Sequence, residues 1–283
     1  MITATTGAEV RRAVAAFRAA GERVGLVPTM GALHAGHLAL VRRSRELAER
    51  TVVSVFVNPS QFDDPGDLER YPHREAEDAG MLAAAGADLL FLPPVAAVYP
   101  PGDATAVEVG GPAEGLEGAL RPGHFRGVAT VVARLFNLVL PDLAVFGEKD
   151  AQQLAVVRRM VADLHFPVEI VAHPTVREDD GLAMSSRNAL LGPDDRRAAS
   201  VLHRALTAGR DAVEAGERDA GVVRAAMRRV LAGEARARVE YAEVVDGERF
   251  SPLDRLPDSG RIVLPLAVRL GDVRLIDNLP LDL

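Results

Sequence analysis

The sequence predicts an α/β protein in which a doubly wound parallel sheet is followed by a smaller α+β domain. Through about residue 172, five short apolar runs alternate with amphipathic helical segments. Strands that are apolar throughout are typical of a sheet that is buried on both faces by helices. After about residue 175, two helical segments precede three strand-like runs, and that order indicates a separate α+β domain.

The first domain, predicted over residues 1–175, has the alternation of a Rossmann-like fold and opens with a helix near 7–20. The predicted strands are RVGLVP, TVVSVFVNP, ADLLFLPP, DLAVFGEKD and PVEIVAHP, and the helices between them cover about 37–49, 74–86, 127–139 and 151–163. The Pro- and Gly-rich stretch 93–126 is predicted to be a long ordered excursion over the sheet. Loops of that length are usually functional or mobile.

The second domain is predicted over residues 176–283. Its first helix starts at Pro193 and carries Asp194 and Asp195 in the first turn, where both residue types are favourable. A second helix ends on Gly233. The strands that follow are predicted in RVEYAEVVD, RIVLPLAVRL and VRLIDNLPL.

Composition excludes several classes of protein. The net charge of −7 offers no basic field for nucleic acid or an anionic membrane. Without cysteine there is no disulfide framework, thiolate nucleophile or zinc–thiolate site. The N-terminus lacks a signal-peptide pattern, and no apolar run reaches the length of about 18 residues that suggests a membrane span. We therefore expect a cytoplasmic enzyme with neither a nucleic-acid nor a membrane partner.

Unusual polar clusters follow four of the predicted strands. They are PTMGALHAGH, NPSQF, FGEKD and HPTVREDDGLAMSSR. Ligands of open α/β sheets bind beyond the carboxyl ends of the strands, at the point where the strand order reverses. The four clusters therefore predict the ligand site.

His34 and His37 lie in the first cluster, three residues apart and on one face of the helix that begins there. Gly31 and Gly36 allow a ligand to approach the backbone closely. A helix N-terminus attracts phosphate through its N–H groups and dipole. Two alternatives stay open here: an HxxH metal pair, for which no third ligand has matching spacing, and one core histidine beside one surface histidine.

The other clusters offer further candidates for phosphate and substrate binding. Lys149, the only lysine in the chain, stands where a strand becomes a helix and can point at a phosphate. The hydroxyls and guanidinium of AMSSRN can close over phosphates. Neutral carboxamides, which hold hydroxyl and carboxylate groups without adding charge, occur at Asn58, Gln61, Gln152 and Gln153. RPGHFRGV adds Arg121, His124 and Arg126 as partners for a carboxylate or phosphate. Each of these also has the simple explanation of a solvated loop.

HxGH after the first strand and MSSR after the last resemble the nucleotidyltransferase superfamily with HIGH and KMSKS motifs. The common nucleotide fingerprints GxxxxGK[ST] and GxGxxG are absent, as is GxSxG. Within the superfamily, PTMGALHAGH, FVNPSQF, RPGHFRGV, FGEKDAQQ and PTVREDDGLAMSSRN, in that order over residues 24–190, are similar to the pantothenate synthetase (pantoate–β-alanine ligase) family.

The resemblance implies that pantoate and ATP form pantoyl adenylate and pyrophosphate, and that β-alanine then releases AMP and pantothenate. It implies Mg²⁺ and a homodimer as well. His37 would be the proton donor of the family, acting first as an electrostatic stabiliser, with His34 and Lys149 as the other catalytic residues. The implied ATP-binding residues are Met30, Gly31, Ala32, Leu33, His34, Ala35, Gly36, His37, Gly147, Glu148, Lys149, Asp150, Val176, Met184, Ser185, Ser186 and Arg187.

The implied pantoate ligands are Gln61 and Gln153, with Gln61 also meeting β-alanine, and the amide of Asn58 is a further candidate beside them. Three departures from the family pattern occur. Ala183 stands where the wider superfamily has lysine, Ala151 where an aromatic residue is expected, and YPHRE where Tyr-Pro-Arg-Thr is more usual. The last departure leaves magnesium ligands near Asp78 unassigned.

Three other functions compete with this one. A nucleotidyltransferase acting on a phosphorylated alcohol would need a basic acceptor pocket, whereas residues 58–61 and 152–153 offer neutral amides. A nucleotide-binding regulator with a decayed site conflicts with the intact His34, His37, Lys149 and MSSR. An RNA-binding role is disfavoured by the negative net charge.

Overall fold

The computed structural model, which describes residues 1–62 and 65–283, divides the chain into two units. Unit 1 comprises Met1–Gly147 and Val156–His173, and unit 2 comprises Glu148–Ala155 and Pro174–Leu283. The predicted ligand-binding domains, with ATP and pantoate held by residues 1–175 and a closing segment carried by residues 176–283, stay a prediction.

A six-stranded, fully parallel sheet forms the centre of unit 1, in the order β1-β4-β3-β2-β5-β6. The strands are β1 (Ile2–Ala4), β2 (Val24–Thr29), β3 (Arg50–Val55), β4 (Leu89–Phe91), β5 (Leu143–Gly147) and β6 (Glu169–His173). The helices are α1 (Gly7–Ala19), α2 (Ala35–Leu47), α3 (Pro65–Arg70), α4 (Glu75–Ala85), α5 (Val95–Val98), α6 (Leu116–Leu120) and α7 (His124–Val139). Helix α8 (Ala151–Asp163) begins in unit 2 and belongs to unit 1 from Val156 onward. The predicted doubly wound parallel sheet is confirmed.

Both faces of the central strands are buried, which explains why their sequences are apolar throughout. On one face Val27 and Val53 belong to a core cluster that also contains Leu40, from α2, and Leu82, from α4. Successive residues of a strand point to opposite faces, so Leu26 lies on the other face, and it is fully buried there. Burying one such side chain contributes about 1.5–3 kcal/mol, so each strand favours the sheet only if helices cover both sides.

The strand order reverses between β2 and β5. From β2 the chain continues to β3 and β4 on one side, whereas β5 and β6 lie on the other side. Hydrogen bonding between β2 and β5 pairs Gly25 with Leu143 and Leu26 with Ala144. The segment 30–37 therefore follows the strand that flanks the switch point, where the general rule places ligands.

Unit 2 contains three helices and an antiparallel sheet, as the predicted α+β domain requires. The helices are α9 (Pro193–Ala198), α10 (Val201–Glu214) and α11 (Ala220–Ala232), and the strands are β7 (Ala237–Ala242), β8 (Val245–Asp246), β9 (Arg261–Leu270) and β10 (Val273–Asp282). The sheet order is β10-β9-β7, with β8 also paired to β9. Its core includes Leu202 and Leu206 of α10, Met227 of α11 and Leu264 of β9.

The structure differs from the sequence prediction mainly in its short elements and at the edge of the sheet. Strand β1 has three residues, too few to show a period, and it is recognisable only by its pairing with β4. The excursion 93–126 contains the short helices α5 and α6. Strand β6, predicted to be buried, lies at the sheet edge and is only half-buried. Among the described residues, no helix combines the length and the apolar character needed to cross a bilayer.

The packing of β2 on α2 predicts the effect of a single methyl group at Gly25. A Cβ there would lie 2.2 Å from Ser44 Oγ, which is buried and hydrogen-bonded to Thr51 Oγ1 at 2.9 Å. Gly25→Ala should lower the free energy of unfolding by about 1–3 kcal/mol, measured by urea denaturation.

Gly80, in α4, is the matched control, because a Cβ there meets nothing within 4 Å. Gly80→Ala should raise the free energy of unfolding by about 0.5–1 kcal/mol, since alanine restricts the unfolded chain more than glycine does. Equal stability of the two variants would contradict the packing described for β2.

Candidate active site

The turn after β2 is held by a buried carboxylate from α4. Asp78 is 1% exposed, and its two oxygens accept hydrogen bonds from Ala32 N at 2.9 Å and Leu33 N at 2.8 Å. Gly31 has a φ of +86°, and a Cβ there would lie 2.9 Å from Asp78 Oδ2. A left-handed conformation together with this close approach requires glycine at position 31. Asp78 thus fixes the backbone that leads into α2.

His34 and His37 form the N-terminal cap of α2. The Nδ1 atom of His34 accepts from Gly36 N at 3.2 Å, and that of His37 accepts from His34 N at 3.4 Å. The ring centroids lie 4.1 Å apart. Because a backbone N–H donates to each Nδ1, each neutral ring carries its proton on Nε2. The two imidazoles therefore supply two Nε2–H donors at a helix N-terminus, which suits an anion.

Gln61 is held in place from three sides. Its side-chain oxygen accepts from Asn58 Nδ2 at 2.9 Å, and its Nε2 donates to Met30 Sδ at 3.0 Å. Its backbone carbonyl lies 2.9 Å from His124 Nδ1 and accepts from Arg121 Nη2 at 3.3 Å. The structure therefore brings Gln61 next to the turn after β2. Arg121 and His124 are interpreted from the sequence as partners of a carboxylate or phosphate. In the structure both side chains contact the backbone carbonyl of Gln61.

Asn58 is almost fully buried, and its hydrogen bonds are made within the protein. Its Nδ2 donates to Gln61 and to the Gly127 carbonyl at 3.2 Å, and its Oδ1 accepts from Ser60 N, Ser60 Oγ and the Tyr99 hydroxyl. Burial raises the pKa of Tyr99, so its hydroxyl stays protonated and able to donate. Substrate binding by Asn58 stays a prediction, and these contacts favour a supporting role in which Asn58 orients the Gln61 carboxamide.

Gly127, in α7, allows the segment that carries Gln61 to pack closely. A Cβ at position 127 would lie 2.3 Å from the Ser60 carbonyl oxygen. The 3₁₀ turn Pro59–Gln61 therefore lies directly against the helix backbone. This contact brings NPSQF and RPGHFRGV, about 60 residues apart in the sequence, next to each other. Next to Met30 and Gly31 a cavity of about 170 Å³ opens, bordered also by Asp78, Phe56 and Pro93.

In unit 2, Lys149 lies in the 3₁₀ turn Glu148–Asp150 that precedes α8. Its Nζ donates to Asp150 Oδ1 at 3.3 Å, and its side chain is 20% exposed. Glu148 pairs with Arg261 Nη2 at 2.8 Å. Gln152 is buried, whereas Gln153 is half-buried in the first turn of α8. Of the two glutamines, Gln153 is the more accessible to a ligand.

The segment Met184–Arg187 continues from a hairpin of unit 2. Met184 N donates to the Val176 carbonyl at 2.9 Å, which places these two predicted ATP ligands side by side. Ser185 caps the 3₁₀ helix Ser186–Leu190, with its Oγ accepting from Arg187 N at 3.3 Å. All four residues 184–187 are partly exposed.

Unit 1 thus brings together Met30–His37, Asn58 and Gln61, with Gly147 at the end of β5. Unit 2 contains the remaining predicted ligands, Glu148–Asp150, Gln153, Val176 and Met184–Arg187. No group of three or more His, Asp or Glu suited to a metal occurs in residues 1–62 and 65–283. Asp78 was not assigned from the sequence, because its contact with the turn after β2 spans 46 positions and leaves no local pattern.

A parallel α/β sheet with an HxGH helix cap beyond its switch strand defines a nucleotide-dependent enzyme of the HIGH type. The chain belongs to the pantoate–β-alanine ligase family, whose model matches residues 2–280. Pantothenate synthetase from Moorella thermoacetica is 51% identical over 98% of this chain and 97% of that protein. The corresponding protein of Chloroflexus aggregans is 54% identical over 96% and 97%.

Solved structures agree with this family. A crystal structure of pantothenate synthetase from Thermus thermophilus has a TM-score of 0.91 and 50% identity, covering 99% of both chains. Pantoate–β-alanine ligase from Francisella tularensis, complexed with "Beta-gamma ATP and Beta-alanine", has a TM-score of 0.76 and 31% identity, covering 99% of this chain and 97% of that chain. The resemblance inferred from the sequence motifs is confirmed.

The two hydrogen bonds to Asp78 predict a stability loss that a surface carboxylate would not show. In Asp78→Asn one acceptor becomes an NH₂ group that faces a backbone N–H, which leaves a buried donor unsatisfied. The free energy of unfolding should fall by about 1–3 kcal/mol, measured by urea denaturation. Glu77→Gln, an exposed neighbour in the same helical turn, should change it by less than about 0.5 kcal/mol. If the two variants unfold at the same urea concentration, Asp78 does not hold the turn.

Proposed function

We propose that this chain catalyses the ATP-dependent condensation of (R)-pantoate with β-alanine to pantothenate, through a pantoyl-adenylate intermediate. Membership of the pantoate–β-alanine ligase family supports the overall reaction. The observation that carries the nucleotide step is the position of the His34 and His37 imidazoles in the N-terminal cap of α2, where the Nδ1 atom of each ring accepts a backbone N–H. The Francisella tularensis relative was crystallised in complex with "Beta-gamma ATP and Beta-alanine", in line with both substrates.

In the first step a pantoate carboxylate oxygen attacks the α-phosphorus of ATP. One P–O bond forms and the bond to the β-phosphate oxygen breaks, which gives pantoyl adenylate and pyrophosphate. The nucleophile has no proton to lose, so the protein mainly has to position the reactants and stabilise negative charge on phosphate oxygens. We assign that stabilisation to the imidazoles of His34 and His37 and to the ammonium group of Lys149.

In the second step the β-alanine amine attacks the acyl carbon of the adenylate. The C–N bond forms, AMP leaves with the electrons of the acyl C–O bond, and the proton lost by the amine passes to the departing phosphate or to water. Neutral carboxamides suit these substrates because they can hydrogen-bond hydroxyl and carboxylate groups without adding a charge to the site. We assign pantoate to Gln61 and Gln153 and β-alanine also to Gln61, with Asn58 orienting Gln61 from behind.

We assign ATP to the backbone and side chains of Met30–His37, Gly147–Asp150, Val176 and Met184–Arg187. The hairpin contact of Met184 with Val176 and the partial exposure of residues 184–187 support a segment that contacts the polyphosphate. Arg187 and Lys149 compensate for Ala183, which stands where the superfamily has a lysine. In this proposal residues 1–175 bind ATP and pantoate, and residues 176–283 carry the closing segment.

Mg²⁺ belongs to the proposal as a partner of ATP. The described residues do not form a protein cage for it, since they contain no suitable carboxylate cluster and both oxygens of Asp78 accept backbone N–H groups. Mg²⁺ usually binds through substrate phosphates and water, so we assign it no protein ligand. A homodimer in the cytoplasm, without nucleic-acid or membrane partners, completes the proposal. A solution mass of one 30.1 kDa chain would exclude the dimer.

Pyrophosphate exchange tests the adenylate step in isolation. With pantoate, ATP and Mg²⁺ but no β-alanine, the protein should incorporate labelled pyrophosphate into ATP, because adenylate formation is reversible. Other hydroxy acids and phosphorylated alcohols should support much less exchange. Folded protein without pantoate-dependent exchange would refute the proposed mechanism, and exchange with a phosphorylated alcohol instead would indicate a different nucleotidyltransferase.

Lys149→Ala should lower pyrophosphate exchange by about two to three orders of magnitude, the loss typical of removing one group that stabilises transition-state charge. Arg159→Ala provides the control, because Arg159 is an exposed cation of α8 that pairs with Asp163. It removes the same charge and should leave exchange within about twofold, since surface substitutions are usually neutral. Exchange by Lys149→Ala at the rate of Arg159→Ala would remove Lys149 from the phosphate site.

A further inference from the structure

Two consecutive residues of β10 contact the Lys149 turn and the hairpin that leads into Met184–Arg187, two unit 2 segments to which ATP is assigned above. Asp277 and Asn278 lie in the edge strand of the antiparallel sheet, paired with Leu266 and Pro265 of β9. Both side chains are buried, at 2% and 3% exposure. A buried charge and a buried carboxamide are costly unless they are hydrogen-bonded, so their partners identify what they do.

Asn278 holds the turn that carries Lys149. Its Nδ2 donates to the Glu148 carbonyl at 2.9 Å and to the Lys149 carbonyl at 2.8 Å. Only the amide nitrogen can donate to two carbonyls, so the orientation of the carboxamide is determined. Its Oδ1 is buried without a hydrogen-bond partner among the described residues. An aspartate or leucine of similar volume would fill the space but would offer no donor to these carbonyls.

Asp277 holds the hairpin that leads into Met184–Arg187. Its carboxylate receives both terminal nitrogens of Arg177, at 2.7 and 3.0 Å, in a bidentate pair. Arg177 also donates to the carbonyls of Gly181 at 2.9 Å and Asn278 at 3.1 Å. Arg177 pairs across the hairpin with Ala183, directly before Met184. The Arg177 side chain thus ties the base of the hairpin to β10.

We propose that Asp277 and Asn278 are positioning residues for adenylate formation, which fix the Lys149 turn and the Met184–Arg187 segment to one strand and thereby to each other. Neither residue touches substrate in this proposal. Asn278 acts through Lys149, and Asp277 acts through Arg177 on residues 184–187. The inference rests on the proposed function, because it takes ATP as the ligand of both segments.

The test is a double-mutant cycle on the binding of a non-hydrolysable ATP analogue, measured by calorimetry. Asn278→Asp keeps the side-chain volume but places an acceptor against two carbonyls. It should weaken binding of the analogue by about tenfold, within the range of coupling seen for residues in one hydrogen-bond network. In a Lys149→Ala background the same substitution should weaken binding by less than about twofold, because its effect passes through Lys149.

Gly209→Ala, in α10, serves as the stability control. A Cβ at Gly209 would lie 2.8 Å from Met227 Cγ in the core of unit 2. This variant should lower the melting temperature as Asn278→Asp does and yet bind the analogue like the unmodified chain. If Asn278→Asp does not fold, Asn278→Ser, which keeps one donor, replaces it in the cycle.

Asp277→Asn should also weaken binding of the ATP analogue by about tenfold. In an Arg187→Ala background the same substitution should have no further effect on binding. The inference would be overturned if the losses of binding free energy caused by Asn278→Asp and Lys149→Ala were fully additive. It would also be overturned if Gly209→Ala weakened binding of the analogue as much as Asn278→Asp does. If the unmodified chain binds the analogue and exchanges pyrophosphate, and Asn278→Asp does both equally well, only this inference is refuted. An unmodified chain that does neither would refute the proposed function itself.

Discussion

The carboxylate of Asp78 determines the conformation on which the candidate site depends. It lies in the first turn of α4, where the helix dipole favours negative charge, and it accepts the N–H groups of Ala32 and Leu33. Ala32 lies in the turn between β2 and α2 with a left-handed φ of +50°, directly after Gly31, whose φ is also positive. A non-glycine residue in that region needs a compensating contact. The two hydrogen bonds provide it, and they set where the His34 cap begins.

Several buried polar side chains in this protein hold backbone groups. Asp78 accepts the N–H groups of Ala32 and Leu33, His124 lies at the carbonyl of Gln61, and Asn278 donates to the carbonyls of Glu148 and Lys149. Each of these bonds removes freedom from a short irregular segment that follows a strand. Such segments have few regular hydrogen bonds of their own, so their conformation depends on side chains from elsewhere in the chain. This arrangement suits a reaction in which positioning and charge stabilisation supply most of the catalysis.

Charge is distributed according to the two kinds of ligand that the proposed reaction requires. Net charge is −7, so attraction for a polyphosphate has to be local. In the proposed function this attraction comes from the imidazoles at the N-terminus of α2, the single lysine and Arg187, all of which follow the ends of strands or hairpins. The positions assigned to pantoate and β-alanine carry carboxamides instead. A neutral carboxamide can orient a carboxylate by hydrogen bonds without forming an ion pair that would have to break before the carboxylate attacks phosphorus.

The sequence by itself determined the fold class and the identity of the motifs. Strands buried on both faces need apolar residues at every position, and that pattern is local, so β2, β3 and β5 are visible in the sequence. The short β1 was missed because its only signal is a pairing with β4, almost 90 residues away. Only the tertiary structure decided what each polar side chain contacts. Asp78 is 46 positions from Ala32, and Asn278 is 130 from Glu148. A hydrogen bond between such distant residues depends on how whole elements pack, and neither spacing nor composition carries that information.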